Sequence, residues 1–213
     1  MSSKPATGKL IGAGLFSVGM VVFALCAHRE ELVLLRFAAL VVACVSLARS
    51  VAMVDRPLGL LGFSRIARNR LVYIPLAVAG GAGLGIGYRC LLNQSPLPGQ
   101  LGWFCILAAG IGICEEIAYR GFVQGSLKGL GLWAACIGGA LAHGAYKCSL
   151  FVWPDVAVRA DFLWLACATV IFGIAFGLSR RLLGSLAFPI LLHATFDIVA
   201  YGDRATAPWW VGL

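Results

Sequence analysis

Two adjacent glutamates, Glu115 and Glu116, end a long apolar run of the sequence. Lipid supplies an ionised side chain with neither water nor a counter-charge, so carboxylates inside such runs are costly and commonly functional. Two of the three histidines, His143 and His193, also lie within apolar runs, and Asp197 follows the second of them at i+4. The pattern predicts a buried polar site to which three separate apolar segments contribute.

Acid–base chemistry on water is what these residue types permit. A carboxylate and a histidine can hold and deprotonate one water molecule, which produces a nucleophile. A second histidine and its neighbour can donate hydrogen bonds to a developing oxyanion. Two other interpretations stay open. Glu115, His143 and His193 could bind one divalent metal such as zinc, or the whole set could line the path of an ion or proton in a transporter.

Helical spacing around the two glutamates predicts how they divide their roles. On an α-helix Glu116 and Arg120 are i,i+4 neighbours on one face, and Glu115 and Tyr119 are neighbours on another. Adjacent residues of a helix point about 100° apart, so the two glutamates meet different surroundings. We therefore expect that one glutamate can be held by Arg120 while the other faces a cavity.

Composition indicates that membrane helices position these residues. Of the 213 residues, 61% are hydrophobic and 12% are charged, whereas about a quarter of a soluble domain is charged. Apolar runs near the length of about 20 residues that spans a bilayer occur at about seven places. They cover 10–27, 32–54, 71–92, 101–119, 130–148, 161–179 and 184–201. The sequence predicts an all-α transmembrane bundle of about seven spans, forming one integral membrane domain over 1–213.

The basic charge of the chain fits a membrane orientation and not nucleic-acid binding. The net charge is +8, from 17 Lys and Arg against 9 Asp and Glu. Arg56, Arg65, Arg68 and Arg70 cluster between the second and third runs, whereas the loop at 93–100 carries no charged residue. Because basic loops stay on the cytoplasmic side, we expect an integral protein of a bacterial inner or plasma membrane with a cytoplasmic N-terminus.

A glycine-rich stretch lies in the third run, Gly80-Gly81-Ala82-Gly83-Leu84-Gly85. Small residues at this spacing let membrane helices approach closely. We expect this helix to pack tightly against a neighbour.

The order of these motifs resembles the CPBP group of intramembrane proteases, which comprises the CAAX prenyl endopeptidases and the bacteriocin-processing or Abi proteins. The resemblance covers a protease-like core at about 100–202 and rests on Glu115-Glu116-x-x-x-Arg120, on His143 in the next helix, and on His193-x-x-x-Asp197 in the last. It implies that Glu115 is the catalytic base that holds water with His143. It also implies that His193 and Asp197 stabilise the oxyanion, and that the second glutamate and Arg120 are structural.

Two positions differ from the pattern of that group. Gly139 stands four residues before His143, where the group usually has phenylalanine, and we expect this change to alter packing only. Asp197 stands where the group usually has asparagine. An ionised aspartate would repel an oxyanion, so the role of Asp197 depends on its protonation.

The resemblance implies an intramembrane endopeptidase, either metal-free or a metalloprotease with one divalent metal. Its partners would be the lipid bilayer and a membrane-associated or lipid-anchored peptide substrate. The alternatives are a non-proteolytic interaction or immunity protein of the same group, and an ion- or proton-coupled transporter.

The predicted topology places Ser64 on the cytoplasmic side and Ala205 on the opposite side. Single cysteines introduced by Ser64→Cys and Ala205→Cys, in a variant without the native cysteines, should therefore react with an impermeant thiol reagent from opposite sides of the membrane. Reaction of both from the same side would contradict the seven-span topology.

Overall fold

The computed structural model of the protein describes residues 5–63, 71–153 and 161–204. Within these ranges the regular structure is helical and no strand occurs, which confirms the predicted all-α class there. The α-helices are α1 Pro5–Leu25, α2 Val33–Ala52, α3 Pro57–Leu61, α4 Tyr73–Leu91, α5 Trp103–Glu115, α6 Gln124–Leu127, α7 Leu132–Ser149, α8 Phe162–Leu183 and α9 Ala187–Tyr201. Short 3-10 helices cover Glu30–Leu32 and Lys128–Leu130. Arg65, Arg68 and Arg70, and the labelling positions Ser64 and Ala205, lie outside the described residues.

Four described helices are long and apolar enough to cross a membrane. They cover Thr7–Leu25, Glu30–Ala52, Tyr73–Leu91 and Phe162–Leu183. Helix α9 is also apolar but has 15 residues, and α5 has 13. At a rise of about 1.5 Å per residue these two helices are shorter than the roughly 30 Å hydrocarbon layer. The structure thus supports an integral membrane protein, and the count of seven spans stays a prediction.

The segment that follows α5 is a π-helix, Glu116–Val123. The α-helical interpretation of these residues is therefore wrong from Glu116 onwards. In a π-helix the backbone hydrogen bond runs from i to i+5, so the turn is wider and i,i+4 side chains are not stacked as on an α-helix.

The chain divides into two compact units. The first unit comprises Met1–Gly62 and Ala118–Leu178, and the second comprises Phe63–Ile117 and Ser179–Leu213. The division falls inside the π-helix, so both glutamates belong to the second unit.

The first unit has an apolar core that fixes the later part of the π-helix. Phe16 of α1 makes edge-on ring contacts with Tyr119 and Phe122, at centroid distances of 6.0 and 5.4 Å. The buried members of this core are Ala13, Phe16, Ala24, Ala27, Ala43, Leu60, Tyr119, Phe122, Val123, Tyr146 and Leu150. Burial of these rings holds the backbone from which Arg120 projects.

The second unit depends on close contact between α4 and α9. A Cβ atom at Gly81 would collide with the carbonyl oxygen of Leu192, and one at Gly85 would lie 2.7 Å from the Cβ of Val199. Gly83, between them, faces open space. The predicted tight packing is therefore confirmed, and Gly81 and Gly85 are the residues responsible.

An ion pair between the buried Arg89 and the exposed Asp203 joins the end of α4 to the residues after α9. The Arg89 guanidinium donates to both carboxylate oxygens of Asp203, at 2.8 and 2.7 Å, and to the carbonyl oxygen of Ser95, at 2.6 Å. Hydrogen bonds from Arg89 lower the pKa of Asp203 to about 2. The carboxylate is consequently ionised at neutral pH and supplies the counter-charge that the buried Arg89 requires.

Candidate active site

In the second unit, Glu116 lies against a histidine of α9. Its Oε1 is 2.9 Å from Nδ1 of His193, and no part of Glu116 is exposed. This bond sets the ring orientation, and when the carboxylate is ionised Nδ1–H is the donor, because an ionised carboxylate can only accept. The sequence analysis did not predict this partner for Glu116, because the two residues are 77 positions apart.

Asp197, one turn further along α9, faces the other nitrogen of the same ring. Its Oδ2 is 3.8 Å from Nε2 of His193, which is longer than a hydrogen bond and makes the contact electrostatic. Two proton arrangements fit this geometry. Either the ring is neutral and Asp197 is protonated, or the ring is an imidazolium and Asp197 is ionised. The arrangements differ only in which residue holds one proton.

Gly112 makes room for this group on α5. A Cβ atom there would collide with Oδ2 of Asp197 and would lie 3.1 Å from Cδ2 of His193. A glycine inside a helix costs about 1 kcal/mol relative to alanine. The space that Gly112 leaves therefore serves the two polar side chains. In the sequence, this space could have been identified from a glycine that lies one turn before Glu116 in an otherwise apolar helix.

In the first unit, Arg120 contacts the second histidine of the predicted site, His143. Its Nη1 is 2.9 Å from Nδ1 of His143, and both residues are buried. The rings of Tyr119 and Tyr146 lie beside the imidazole, at centroid distances of 4.7 and 6.4 Å. These partners hold His143 in one place and one orientation.

Gly139, the first departure from the CPBP pattern, lies where α7 contacts the chain after the glutamates. A Cβ atom there would be 3.1 Å from the carbonyl oxygen of Tyr119 and 3.2 Å from the Cβ of Gln124. Any side chain larger than a hydrogen would be crowded at this position. Close packing thus explains the glycine at this position, in agreement with the expectation that this departure alters packing.

The structure brings the predicted residues together in two groups. Glu116, His193 and Asp197 lie together in the second unit, and Arg120 and His143 lie together in the first. Glu115 belongs to the second unit and is 5% exposed. The predicted pair of Glu116 with Arg120 joins residues of different units and stays a prediction.

Neither group has the arrangement of a metal centre. Among the described residues, no three His, Cys, Asp or Glu side chains gather in a way that could hold a metal ion. In the second unit, Glu116 and Asp197 contact opposite nitrogens of His193, so they cannot bind one ion together with that ring. In the first unit, Nδ1 of His143 accepts from a cation. These arrangements do not fit a divalent metal.

A family match identifies the segment that carries these residues. Residues 97–199 match the family model described as type II CAAX prenyl endopeptidase Rce1-like. This matched domain supports a CPBP family intramembrane protease. The match confirms the resemblance, and it indicates a CAAX-type protease, a hydrolase of peptide bonds. It does not extend to the narrower Abi or metalloprotease assignments. No curated protein and no solved structure matches the chain.

The space at Gly112 can be tested with a matched pair of substitutions in α5. Gly112→Ala should destabilise the protein by roughly 1–3 kcal/mol, because its Cβ overpacks against Asp197 and His193. Gly110 faces open space in the same helix, so Gly110→Ala should be neutral or slightly stabilising. Thermal unfolding of both variants in detergent measures the difference. Equal midpoints for the two variants would contradict the proposed role of Gly112.

Proposed function

We propose that this CPBP protease is an intramembrane endopeptidase that cleaves a membrane-associated or lipid-anchored peptide with water activated by glutamate and histidine. The observation that carries the proposal is the burial of ionisable side chains on apolar helices within the matched segment. Glu115, Glu116, His143 and Asp197 are each no more than 5% exposed. Such burial is costly, so ionisable residues on apolar membrane helices commonly serve a function.

Glu115 is the proposed base. It removes a proton from one water molecule, and the resulting hydroxide attacks the carbonyl carbon of the scissile peptide bond. The proton then passes to the leaving amine, which regenerates the carboxylate. The bond between Glu116 and His193 supports this division of roles, since the second carboxylate is already engaged in orienting a ring.

His193 and Asp197 are proposed to stabilise the oxyanion that forms on the substrate. Donation from His193 Nδ1 to Glu116 leaves Nε2 for the substrate oxygen, and Nε2 can donate only when the ring carries a second proton. Alternatively, a protonated Asp197 donates to the oxyanion itself. In both cases the hydrogen bond to the oxyanion comes from the side of the ring that faces Asp197.

The membrane setting supports the proposed substrate class. Seven spans with a cytoplasmic N-terminus, the topology that the basic loops predict, would surround the site with apolar helices. A site among such helices excludes soluble chains and bulk water, which strengthens its electrostatic interactions. A peptide that is itself anchored in lipid reaches such a site by lateral diffusion.

Substitution of the two glutamates separates catalysis from support. Glu115→Gln keeps the shape of the side chain and removes the base, so turnover should fall by at least about 100-fold while the protein still inserts. Glu116→Gln keeps an acceptor for His193 but loses the charge, so it should mainly lower thermal stability. Cleavage is measured in vesicles with a prenylated CAAX peptide and with an unprenylated copy.

Glu31→Gln is the matched control, because the Glu31 side chain is 66% exposed. It should change neither turnover nor stability. Loss of cleavage in a folded Glu116→Gln variant, with normal cleavage by Glu115→Gln, would reverse the proposed roles. Unchanged cleavage in both variants would contradict the enzymatic proposal.

The role of Asp197 can be decided from a pH profile. If Asp197 donates as a protonated acid, Asp197→Asn should retain activity and extend it to higher pH, because an amide carries donors at every pH. If an ionised Asp197 supplies the counter-charge for a His193 imidazolium, the same variant should lose most of its activity. Cleavage rates of wild type and variant between about pH 5 and 9, with and without a chelator, distinguish the accounts. Loss that a chelator reproduces in the wild type would instead indicate a metal.

A further inference from the structure

The contact between Arg120 and His143 determines where the imidazole carries its proton. We propose that Arg120 is a positioning residue that fixes His143 as the neutral tautomer with hydrogen on Nε2. The consequence for catalysis rests on the proposed protease function, whereas the tautomer itself follows from the contact. It specifies how His143 would hold water, the role that the family resemblance implies for this residue.

The hydrogen-bonding capacity of each group decides the tautomer. A guanidinium has five N–H donors, has no acceptor and keeps its charge in proteins. At 2.9 Å from Nη1 of Arg120, Nδ1 of His143 must therefore present a lone pair. Rotation of the ring by half a turn would exchange Nδ1 for the carbon Cδ2, which cannot accept. An imidazolium has no lone pair at either nitrogen, so the ring in this contact is neutral and its hydrogen is on Nε2.

The surroundings of Arg120 keep the guanidinium at this place. Its Cζ lies 5.6 Å from the ring centroid of Phe176, in the range of a cation–π contact. Gly173, one turn earlier on α8, leaves the space for the guanidinium. A Cβ atom there would be 3.0 Å from Nη2 of Arg120 and 2.8 Å from the Cβ of Ala140. Helix α8 thus supplies both an attractive ring and a gap.

The tautomer limits what His143 can do in the reaction. Nε2 already carries hydrogen, so it cannot take a proton from water and cannot ligate a metal. It can donate a hydrogen bond to the oxygen of the attacking water or to the oxyanion. Glu115 is then the base by itself, and His143 orients or stabilises oxygen through donation. No proton leaves or reaches His143 during the cycle, and its charge does not change.

Nuclear magnetic resonance of the full chain labelled with ¹⁵N-histidine tests the tautomer directly. The chain has three histidines, and the His143 signals are assigned by their loss in His143→Asn. In the wild type, Nδ1 of His143 should show the shift of an unprotonated, pyridine-type nitrogen, and Nε2 that of a protonated nitrogen. A protonated Nδ1 in the folded wild type overturns the proposal, whatever the variants do.

Substitutions of Arg120 then test whether the guanidinium is the cause. Arg120→Met keeps much of the length but has no donor, so the Nδ1–H tautomer should appear. Arg120→Lys still has donors only, so it should keep the wild-type tautomer. Arg36→Met is the matched control, because Arg36 of the same unit donates to the carbonyl oxygen of Ala27. An unchanged His143 spectrum in folded Arg120→Met would overturn the role of Arg120.

Cleavage by the same variants links the tautomer to catalysis. Arg120→Met should lower kcat by about 10- to 100-fold, because His143 is no longer held for donation; partners that orient the histidine ligands of metal sites have effects of this size. Arg120→Lys should restore part of this loss. A wild-type tautomer as proposed, together with normal cleavage by Glu115→Gln, would overturn the proposed function alone. A protonated Nδ1 together with an inactive Glu115→Gln would overturn the tautomer alone.

Discussion

The cost of burying ionisable groups among apolar helices is the constraint on which this structure depends. A carboxylate, a guanidinium or an imidazole in such surroundings requires a partner that satisfies its hydrogen bonds. The protein meets this requirement by pairing the buried His143 with Arg120 and the partly buried His193 with Glu116. Each pair also selects which ring nitrogen faces its partner. The interactions that make burial tolerable are thus the ones that would orient two rings for chemistry.

Small residues determine whether these pairs can form. Gly112 leaves room for His193 and Asp197, and Gly173 leaves room for the guanidinium of Arg120. Gly81 and Gly85 bring α4 against α9, the helix that carries His193 and Asp197. In a membrane, where lipid is as apolar as the helices, close packing is a principal source of helix association. Glycines in this chain therefore serve both the packing of helices and the placement of polar side chains.

The two histidines have opposite electrostatic partners, and this difference has chemical consequences. His193 lies between two carboxylates, which can support a second proton on the ring. His143 lies against a guanidinium, which requires a neutral ring. Two residues of the same type are in this way given different properties by their neighbours. The proposed roles follow this difference: His193 would handle charge, and His143 would donate hydrogen bonds without changing its own protonation.

Much of this protein could be predicted from its sequence. The apolar runs predicted the helices, the positions of Glu115, His143 and His193-x-x-x-Asp197 predicted the family, and the glycine-rich stretch predicted close packing. These features depend on composition and on spacing along one chain, so the sequence determines them. The partners of the buried groups were decided only by the tertiary structure. The contact of the Glu116 carboxylate with a ring 77 positions further on could not be predicted from spacing, whereas its pair with Arg120 stays a prediction. A buried donor can bond to any acceptor that packing brings near. Which acceptor is near depends on how the helices approach and on the π-helical turn, and spacing along the chain specifies neither.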